Sequence, residues 1–548
     1  MSLDDVSADY ALTRRIVGDV SAPRNLRQIQ TRLAHCLQHH EICMRSQSST
    51  IRPNRFLDVG SSSPDGFSRL RRVDLDSSQP YVTLSYVWGQ DQAARTTRST
   101  LAKHEAGIPI QSLPNTIKDA ITITRLLGVD LLWVDSLCIV QDDPDELLTD
   151  IADMSFYYGN SLLTISAASA SSCDEGFLKQ NWNENILENH LSLPFDDGRS
   201  GLHGARLHLL PPTTSPREPI DYRAWTLQEG LLSNRILSFG PNSISWSCLS
   251  SEFGALHIGP LRRTFRVARP RSQSFRPEPH MRVGAEHLSS NTKILHNILS
   301  YNGRTHHELR NILNFWDEIV HEYTSRALSD PADKLSAISG VAREFSWRFS
   351  PPTDPEMPRY LAGMWWSDLL PLQLLWQVVG PCRRRPVYVA PSWSWASVTG
   401  PLDRQVQELI LNYRPLSLRH TRITACQIVR QSLQAPYGPV TSGYLTISGR
   451  TFKPDIISLR DHGIRTALDE VGGPPTPELA SDEFGHLCLL EITCIDDLHT
   501  EVSKEVTNRP RPRGLILREN EEGSYRRLGL FYHSTNGIPW EVNTLQII

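Results

Sequence analysis

The sequence predicts an α/β fold with a parallel sheet in the first half of the chain. A mostly helical region and then a β-rich region are expected to follow. Over residues 81–170, short apolar runs alternate with segments of helical periodicity, which is typical of β-α-β units. Residues 290–380 keep a helical spacing of apolar side chains. From residue 410 onward, short apolar runs alternate with turn residues, which favours strands.

The composition is that of an ordinary globular protein. Of its 548 residues, 39% are hydrophobic, and the net charge is −4. This length predicts about two to four domains, and the charge balance predicts neither a nucleic-acid nor a membrane partner. Nine cysteines without a Cys-x-x-Cys pair favour reduced thiols. Because the first residues lack the apolar segment of a secretory signal, we expect a cytoplasmic protein.

The first β-α-β unit begins with the β-branched and aromatic run Tyr81–Trp88, which is predicted to form a strand ending at Gly89. A helix should begin at Asn115, its expected N-cap, and end at Gly128. Residues 131–134 form the second strand. A right-handed crossover should then place the two strands in parallel.

The rest of the first domain continues this alternation. Carboxylates around a proline predict a helix start at 142–146, since the positive end of a helix dipole favours acidic side chains. Further along the chain we predict a third strand, a polar insertion, a helix and a strand hairpin, at residues 162–166, 171–220, 225–232 and 235–248.

These patterns predict five segments. They are a helical N-terminal segment (1–50), an α/β domain (51–255, with core motifs at 81–170 and 221–252), a basic flexible loop (256–289), a helical region ending in a Trp-rich strand (290–400), and a β-rich region (401–548). Arginines and two phenylalanines in 262–282 leave two interpretations open, a phosphate- or RNA-binding arm and a solvated loop.

One helical stripe in the N-terminal segment carries Cys36, His40 and Cys43, at the spacing i, i+4 and i+7. Three such side chains on one helix face resemble part of a zinc site, but the sequence shows no fourth ligand. A packed helix face is the simpler interpretation, and no metal site is predicted.

Polar residues gather where the first two strands of the sheet end. Ser85, Trp88 and Asp91 follow or close the first strand, and Asp135 follows the second. Parallel sheets bind ligands beyond the carboxyl ends of their strands, so we expect chemistry at this edge. Two roles remain open for Asp135, binding ribose hydroxyls and capping the next turn. Cys138 is expected to be inert packing, and the chain lacks a Gly-x-Gly-x-x-Gly fingerprint, a P-loop and a Gly-x-Ser-x-Gly elbow.

Four blocks resemble the fungal heterokaryon incompatibility (HET) domain family. They are YVTLSYVWG (81–89), LPNTIKDAITITRLLGVDLLWVDSLCIVQDD (113–143), MSFYYGNSLLTISAA (154–168) and RAWTLQEGLLSNRILSF (223–239). The resemblance implies a role in non-self recognition that ends in programmed cell death. It also implies protein partners or self-association through this domain.

HET domains in turn resemble TIR domains, which have a flavodoxin-like parallel sheet. Many TIR domains cleave NAD with the glutamate of a Trp-x-x-x-Glu segment, and Trp225 and Glu229 have this spacing. The likeness implies that Glu229 is catalytic, that Ser85, Trp88, Asp135 and Trp225 line the pocket, and that NAD is a substrate, with no cofactor required. Two alternatives stay open. Glu229 forms a structural ion pair with Arg223 or Arg235, or the chain is a diverged paralogue without activity.

Overall fold

The computed structural model describes most of the chain outside a few long gaps. The described residues are 23–44, 51–60, 66–74, 78–89, 94–178, 191–194, 206–209, 217–240, 244–250, 306–346, 359–380, 382–384, 387–403, 410, 418, 420–454, 462, 464–469, 486–493, 513–532 and 537–548. The predicted basic loop and Asp91 lie outside them. The chain divides into two units, residues 1–296 and 297–548.

The first unit contains seven described helices and ten described strands. The helices are α1 (Pro23–His39), α2 (Glu41–Met44), α3 (Leu101–Ala106), α4 (Asn115–Leu126), α5 (Asp135–Cys138), α6 (Pro144–Gly159) and α7 (Ala224–Leu232). The strands are β1 (Arg55–Asp58), β2 (Phe67–Arg72), β3 (Tyr81–Ser85), β4 (Ile108–Pro109), β5 (Leu131–Trp133), β6 (Leu163–Ser166), β7 (Leu191–Pro194), β8 (Arg206–Leu209), β9 (Arg235–Phe239) and β10 (Ile244–Cys248).

Eight of these strands form one mixed sheet, in the order β10-β9-β6-β3-β5-β1-β2-β4. β3 pairs in parallel with both β5 and β6, and β6 pairs in parallel with β9. The outer strands β1, β2, β4 and β10 add antiparallel pairs. Numbered in chain order, the parallel strands β3, β5, β6 and β9 lie in the sheet in the order 2-1-3-4. The chain therefore passes from β3 to the neighbouring strand on one side, and then crosses to the strands on the other side of β3. The predicted α/β domain with parallel strands is confirmed.

Local sequence explains where the central elements begin and end. All five residues of β3 are buried, as expected for a parallel strand covered on both faces. α4 is followed by Gly128, whose φ of +73° is the left-handed conformation that glycine adopts without strain. The Asp143 side chain caps α6 by accepting a hydrogen bond from the Glu146 backbone N–H at 3.3 Å.

Two features of this unit differ from the sequence prediction. β3 ends at Ser85 rather than Trp88, because Trp88 and its neighbours leave the sheet and contact the strand ends instead. The predicted irregular insertion contains the antiparallel pair β7–β8.

The second unit contains three helices and two sheets among its described residues. The helices are α8 (His306–Thr324), α9 (Ser336–Ser346) and α10 (Leu370–Gln373), and β11 (Tyr360–Leu361) pairs with β12 (Met364–Trp365). The larger sheet consists of β13 (Arg422–Arg430), β14 (Val440–Phe452), β15 (Arg465–Leu468), β16 (Leu487–Glu491), β17 (Gly514–Glu519), β18 (Tyr525–Tyr532) and β19 (Glu541–Ile547). The predicted β-rich C-terminal region is confirmed. None of the described helices of the chain has the length and apolar character needed to cross a membrane.

The predicted Trp-rich strand at the end of the helical region is wrong. Residues Trp395–Ser397 form a 3-10 turn, held by the Ser394 hydroxyl, which accepts from the Ala396 backbone N–H at 3.0 Å. Trp395 is buried, and its indole donates to the Gly363 carbonyl at 2.9 Å. Gly363 has a φ of +106°, and a Cβ there would lie 2.6 Å from the Trp395 ring. Trp395 therefore lies in a tight turn that packs on another backbone segment.

A buried charge cluster lies inside the second unit. Arg527 is fully buried and donates to both carboxylate oxygens of Asp469 at 3.0 Å. Arg384 donates to Asp469 at 2.8 Å, and the Arg527 guanidinium lies 3.4 Å from the centre of the Trp376 ring. The pairing offsets the cost of burying these charges, so loss of Asp469 would leave uncompensated positive charge in the interior.

Candidate functional site

The candidate site lies at the carboxyl ends of β3 and β5, next to α7. Ser85 is the last residue of β3, and Asp135 begins the short helix α5 two residues after β5 ends at Trp133. Glu229 lies in α7, which precedes β9. A parallel sheet brings the carboxyl ends of its strands to one edge, where the chain reverses direction, so these residues meet although they are far apart in sequence.

Asp135 is held by several donors. The Trp88 indole donates to one carboxylate oxygen at 2.9 Å, and the Ser136 backbone N–H donates to the other at 2.7 Å. Burial raises the pKa of Asp135, while nearby Arg223 and these hydrogen bonds act in the opposite direction. Both sequence interpretations of this residue persist, because the carboxylate binds its own turn and also faces the strand ends.

Arg223 links the two sides of the site. Its guanidinium donates to the Tyr86 carbonyl and lies 5.9 Å from the centre of the Trp88 ring. The Tyr86 hydroxyl donates to the Ser136 hydroxyl at 2.9 Å. The positive charge of Arg223 favours the ionised form of both Asp135 and Glu229, and so it opposes the rise in pKa that burial causes in both groups. One cation therefore faces two carboxyl groups at this edge.

Glu229 is the most buried acid of the group, with only 3% of its surface exposed. Its Oε2 is buried without a hydrogen-bond partner among the described residues. Burial raises the pKa of Glu229 to about 7, and the negative charge of Asp135 acts in the same direction. Arg223 and hydrogen bonding by Ser85 and Tyr158 only partly offset this rise. The carboxyl group therefore holds its proton to a higher pH than an exposed glutamate does.

Of the two arginines that could form an ion pair with Glu229, Arg223 lies close to it and Arg235 does not. Arg223 is close enough to act on its charge. Arg235 is directed elsewhere, because its guanidinium donates to the Cys36 sulfur at 3.2 Å and to the Cys43 carbonyl at 2.7 Å. Glu229 is thus a covered carboxyl whose charge is only partly balanced.

Trp225 lies one helical turn before Glu229 on α7, is partly exposed and packs against the main core. The hydrogen bonds and ring contacts of the described residues join Trp88 to Asp135 and include none between Trp225 and these two. The structure therefore brings together Ser85, Trp88, Asp135 and Glu229, and Trp225 is linked to them only by its place on the same helix as Glu229.

Sequence reasoning missed the two tyrosines of the site. Tyr86 follows Ser85 directly, and its position after the strand could have indicated it. Tyr158 sits on the buried stripe of α6, and its hydroxyl has one hydrogen to share between the Leu84 carbonyl, 3.1 Å away, and the Glu229 carboxyl. Periodicity marks such a residue only as core, so nothing in the sequence signalled it.

The arrangement has the components of an acid–base site. Two carboxyl groups lie near one guanidinium, and the acidity of Glu229 lies in the range where a side chain both gives and takes protons at neutral pH. The nearby thiol of Cys138 is not a nucleophile in this form, because burial raises its pKa to about 12.

Comparison with known proteins identifies one family. Residues 81–229 match the family model described as "Heterokaryon incompatibility protein (HET)". No curated protein and no solved structure matches the chain. The matched segment runs from β3 to Glu229, so all the site residues described above fall within it. The chain therefore carries a heterokaryon incompatibility (HET) domain at residues 81–229.

Proposed function

We propose that this protein acts in fungal non-self recognition and that its HET domain triggers programmed cell death. The family match over residues 81–229 carries this proposal. Death signalling is exerted on protein partners or through self-association of the HET domain, in the cytoplasm. The protein then acts as a switch, which is turned on when partners bring the HET domains of several chains together.

The test is inducible expression of the full chain in a filamentous fungus. The expected result is growth arrest and uptake of a membrane-impermeant dye within the induced cells. Cells that grow normally with the folded protein at high level, alone and after fusion with other strains, would overturn the proposal. Size-exclusion chromatography with light scattering checks self-association separately.

A specific observation favours an enzymatic activity through which the HET domain would act. This activity is cleavage of NAD by a TIR-like HET domain. Glu229 combines a buried oxygen lacking a partner with a pKa of about 7, beside a second carboxylate. The order 2-1-3-4 of the parallel strands supports the likeness, since it is the beginning of the flavodoxin-like order 2-1-3-4-5.

In this reaction the bond between the nicotinamide nitrogen and the ribose carbon breaks. The bonding electrons leave with nicotinamide, water adds to the ribose carbon, and one proton is released. The ionised Glu229 would stabilise the positive charge that develops on the ribose, and Trp88 or Trp225 offers a ring on which a base can stack. Because Glu229 is 3% exposed, the side chains covering it must move apart before substrate reaches it.

The assay is release of nicotinamide from NAD by the purified full chain. Glu229→Gln keeps the shape and removes the charge, so it should abolish turnover. Asp150→Asn is the matched control, since Asp150 is another buried acid with a raised pKa, bonded to Tyr157. The rate should rise with pH through about 7 as Glu229 ionises.

Comparing Glu229→Gln with the original chain in cells separates the two functions. If Glu229→Gln loses both turnover and killing, the enzyme is the effector of the death response. If the variant kills as well as the original chain and the original releases no nicotinamide even when clustered, cleavage is refuted. Killing then rests on protein contacts alone.

A further inference from the structure

A second cluster of reactive side chains lies away from the Glu229 site. The thiols of Cys36, Cys43 and Cys248 and the imidazole of His40 converge, and their four donor atoms all lie within 4.8 Å of one another. The Nδ1 atom of His40 is 3.4 Å from the Cys248 sulfur and 4.0 Å from the Cys43 sulfur. Three sulfurs and one imidazole nitrogen form one of the common ligand sets of structural zinc.

The fold supplies the fourth donor that the sequence does not show. Cys36 lies in the last turn of α1, His40 lies between α1 and α2, and Cys43 lies in α2. The backbone N–H of His40 donates to the Cys36 carbonyl at 3.1 Å, and that of Cys43 donates to the His40 carbonyl at 3.0 Å, which holds the three on one face. Cys248 ends β10, an edge strand of the sheet.

The spacing of the donors is close to that of a tetrahedral site. Zinc–sulfur bonds of about 2.3 Å and zinc–nitrogen bonds of about 2.0–2.1 Å place ligand atoms about 3.5–3.8 Å apart. The largest separation between donor atoms here is at most 4.8 Å. Side-chain movements of about 1 Å therefore suffice to bring the four atoms to the spacing of a tetrahedral zinc site. The three cysteines are almost fully buried, at 1%, 2% and 2% exposure, as in closed structural sites.

Charge also favours an ion at this position. Zinc with three thiolates and a neutral imidazole carries one negative charge, which is costly to bury alone. Arg235 is 4% exposed and donates from Nε to the Cys36 sulfur at 3.2 Å, while its other nitrogens donate to the carbonyls of Cys43 and Leu162. A buried guanidinium bonded to a ligand sulfur makes the whole site neutral.

Zinc binds deprotonated cysteines, so its binding releases the thiol protons of the cluster to water.

We infer that Cys36, His40, Cys43 and Cys248 bind one Zn²⁺ in a structural site that fastens the N-terminal helices to strand β10. These ligands flank the HET segment on both sides, since three precede residue 81 and one follows residue 229. The ion therefore closes a chain loop between Cys43 and Cys248 around the whole domain. Its role is to stabilise this unit, and it is independent of the function of Glu229.

The first test is the metal content of the full chain purified under reducing conditions. Mass spectrometry of metals should find one zinc per chain. Cobalt substitution should give the visible absorption of a tetrahedral site and a sulfur-to-metal charge-transfer band. A chain that binds no stoichiometric zinc or cobalt when its thiols are reduced overturns the inference. So does a disulfide between two of these cysteines, seen by intact mass in protein purified without oxidant.

Variants locate the ion. Cys248→Ser should lose stoichiometric zinc, whereas Cys173→Ser, at another buried cysteine of the same unit, should keep it. Because a ligand variant may unfold, Cys248→His keeps four donors and should bind cobalt with a charge-transfer band lower by about one third. Retention of one zinc by Cys248→Ser, or an unchanged band in Cys248→His, would refute the assignment.

Discussion

Replacing Glu229 by glutamine should change how the stability of the HET domain depends on pH. The pKa of Glu229 is about 7 in the folded chain, against 4.5 for the unperturbed group. The folded state therefore holds its proton more tightly than the unfolded state. The resulting stabilisation is complete below about pH 4.5 and is lost as pH rises through about 7.

The size of the effect follows from this difference. A rise of about 2.5 pH units corresponds to about 3 kcal/mol, since one unit is about 1.4 kcal/mol. Glutamine has no charge to bury, so its stability lacks this dependence. The stability of Glu229→Gln relative to the original chain should increase by about 2 kcal/mol between about pH 5.5 and pH 8, where most of the titration occurs.

The measurement is native-state hydrogen exchange of peptides covering β3 and α7, read by mass spectrometry. Comparing the two proteins at the same pH cancels the intrinsic pH dependence of amide exchange. It also isolates this domain in a chain with two units, for which a single unfolding free energy is not defined.

Asp150→Asn is the control, because burial raises the pKa of Asp150 to only about 6. Its relative stability should change by less than about 1 kcal/mol over the same interval. If the difference between Glu229→Gln and the original chain is the same at both pH values, Glu229 is not a buried carboxyl with a raised pKa.

Four further substitutions, one of them a control, have defined outcomes. Asp135→Asn removes a negative charge beside Glu229, so the pH transition in hydrogen exchange should move to lower pH; an unmoved midpoint contradicts the coupling of the two acids. Asp469→Ala leaves two buried arginines without their partner and should destabilise the second unit by about 3–5 kcal/mol, measured by hydrogen exchange of peptides from that unit. The control is Glu519, whose exposed ion pair with Lys453 contributes about 0–1 kcal/mol, so Glu519→Gln should hardly change the stability. Equal losses of stability in Asp469→Ala and Glu519→Gln would contradict the role of burial. Gly363→Ala combines a left-handed φ with a clash against a buried indole and should lower the melting temperature by several degrees, roughly the effect of 1–3 kcal/mol; an unchanged melting curve contradicts the tight approach.

The sequence by itself determined the elements of the HET domain. Apolar runs marked β3, β5 and β6, and carboxylates around a proline marked the start of α6. These signals are local, since periodicity and capping depend on residues a few positions apart. The family match rests on the same stretch, because its motifs coincide with the strands and helices themselves.

Only the tertiary structure decided which distant side chains meet. Trp88 was predicted at the end of a strand, but it turns out of the sheet to donate to Asp135. Burial raises the pKa of Glu229, and residues far away in the sequence also act on it, since the charge of Asp135 raises it and a hydrogen bond with Ser85 lowers it. The fourth member of the Cys/His cluster, Cys248, reaches the three N-terminal members only because β10 lies at the sheet edge next to β9, whose Arg235 bonds to Cys36. Local sequence carries no trace of such proximities, since they arise when the sheet order brings chain segments together.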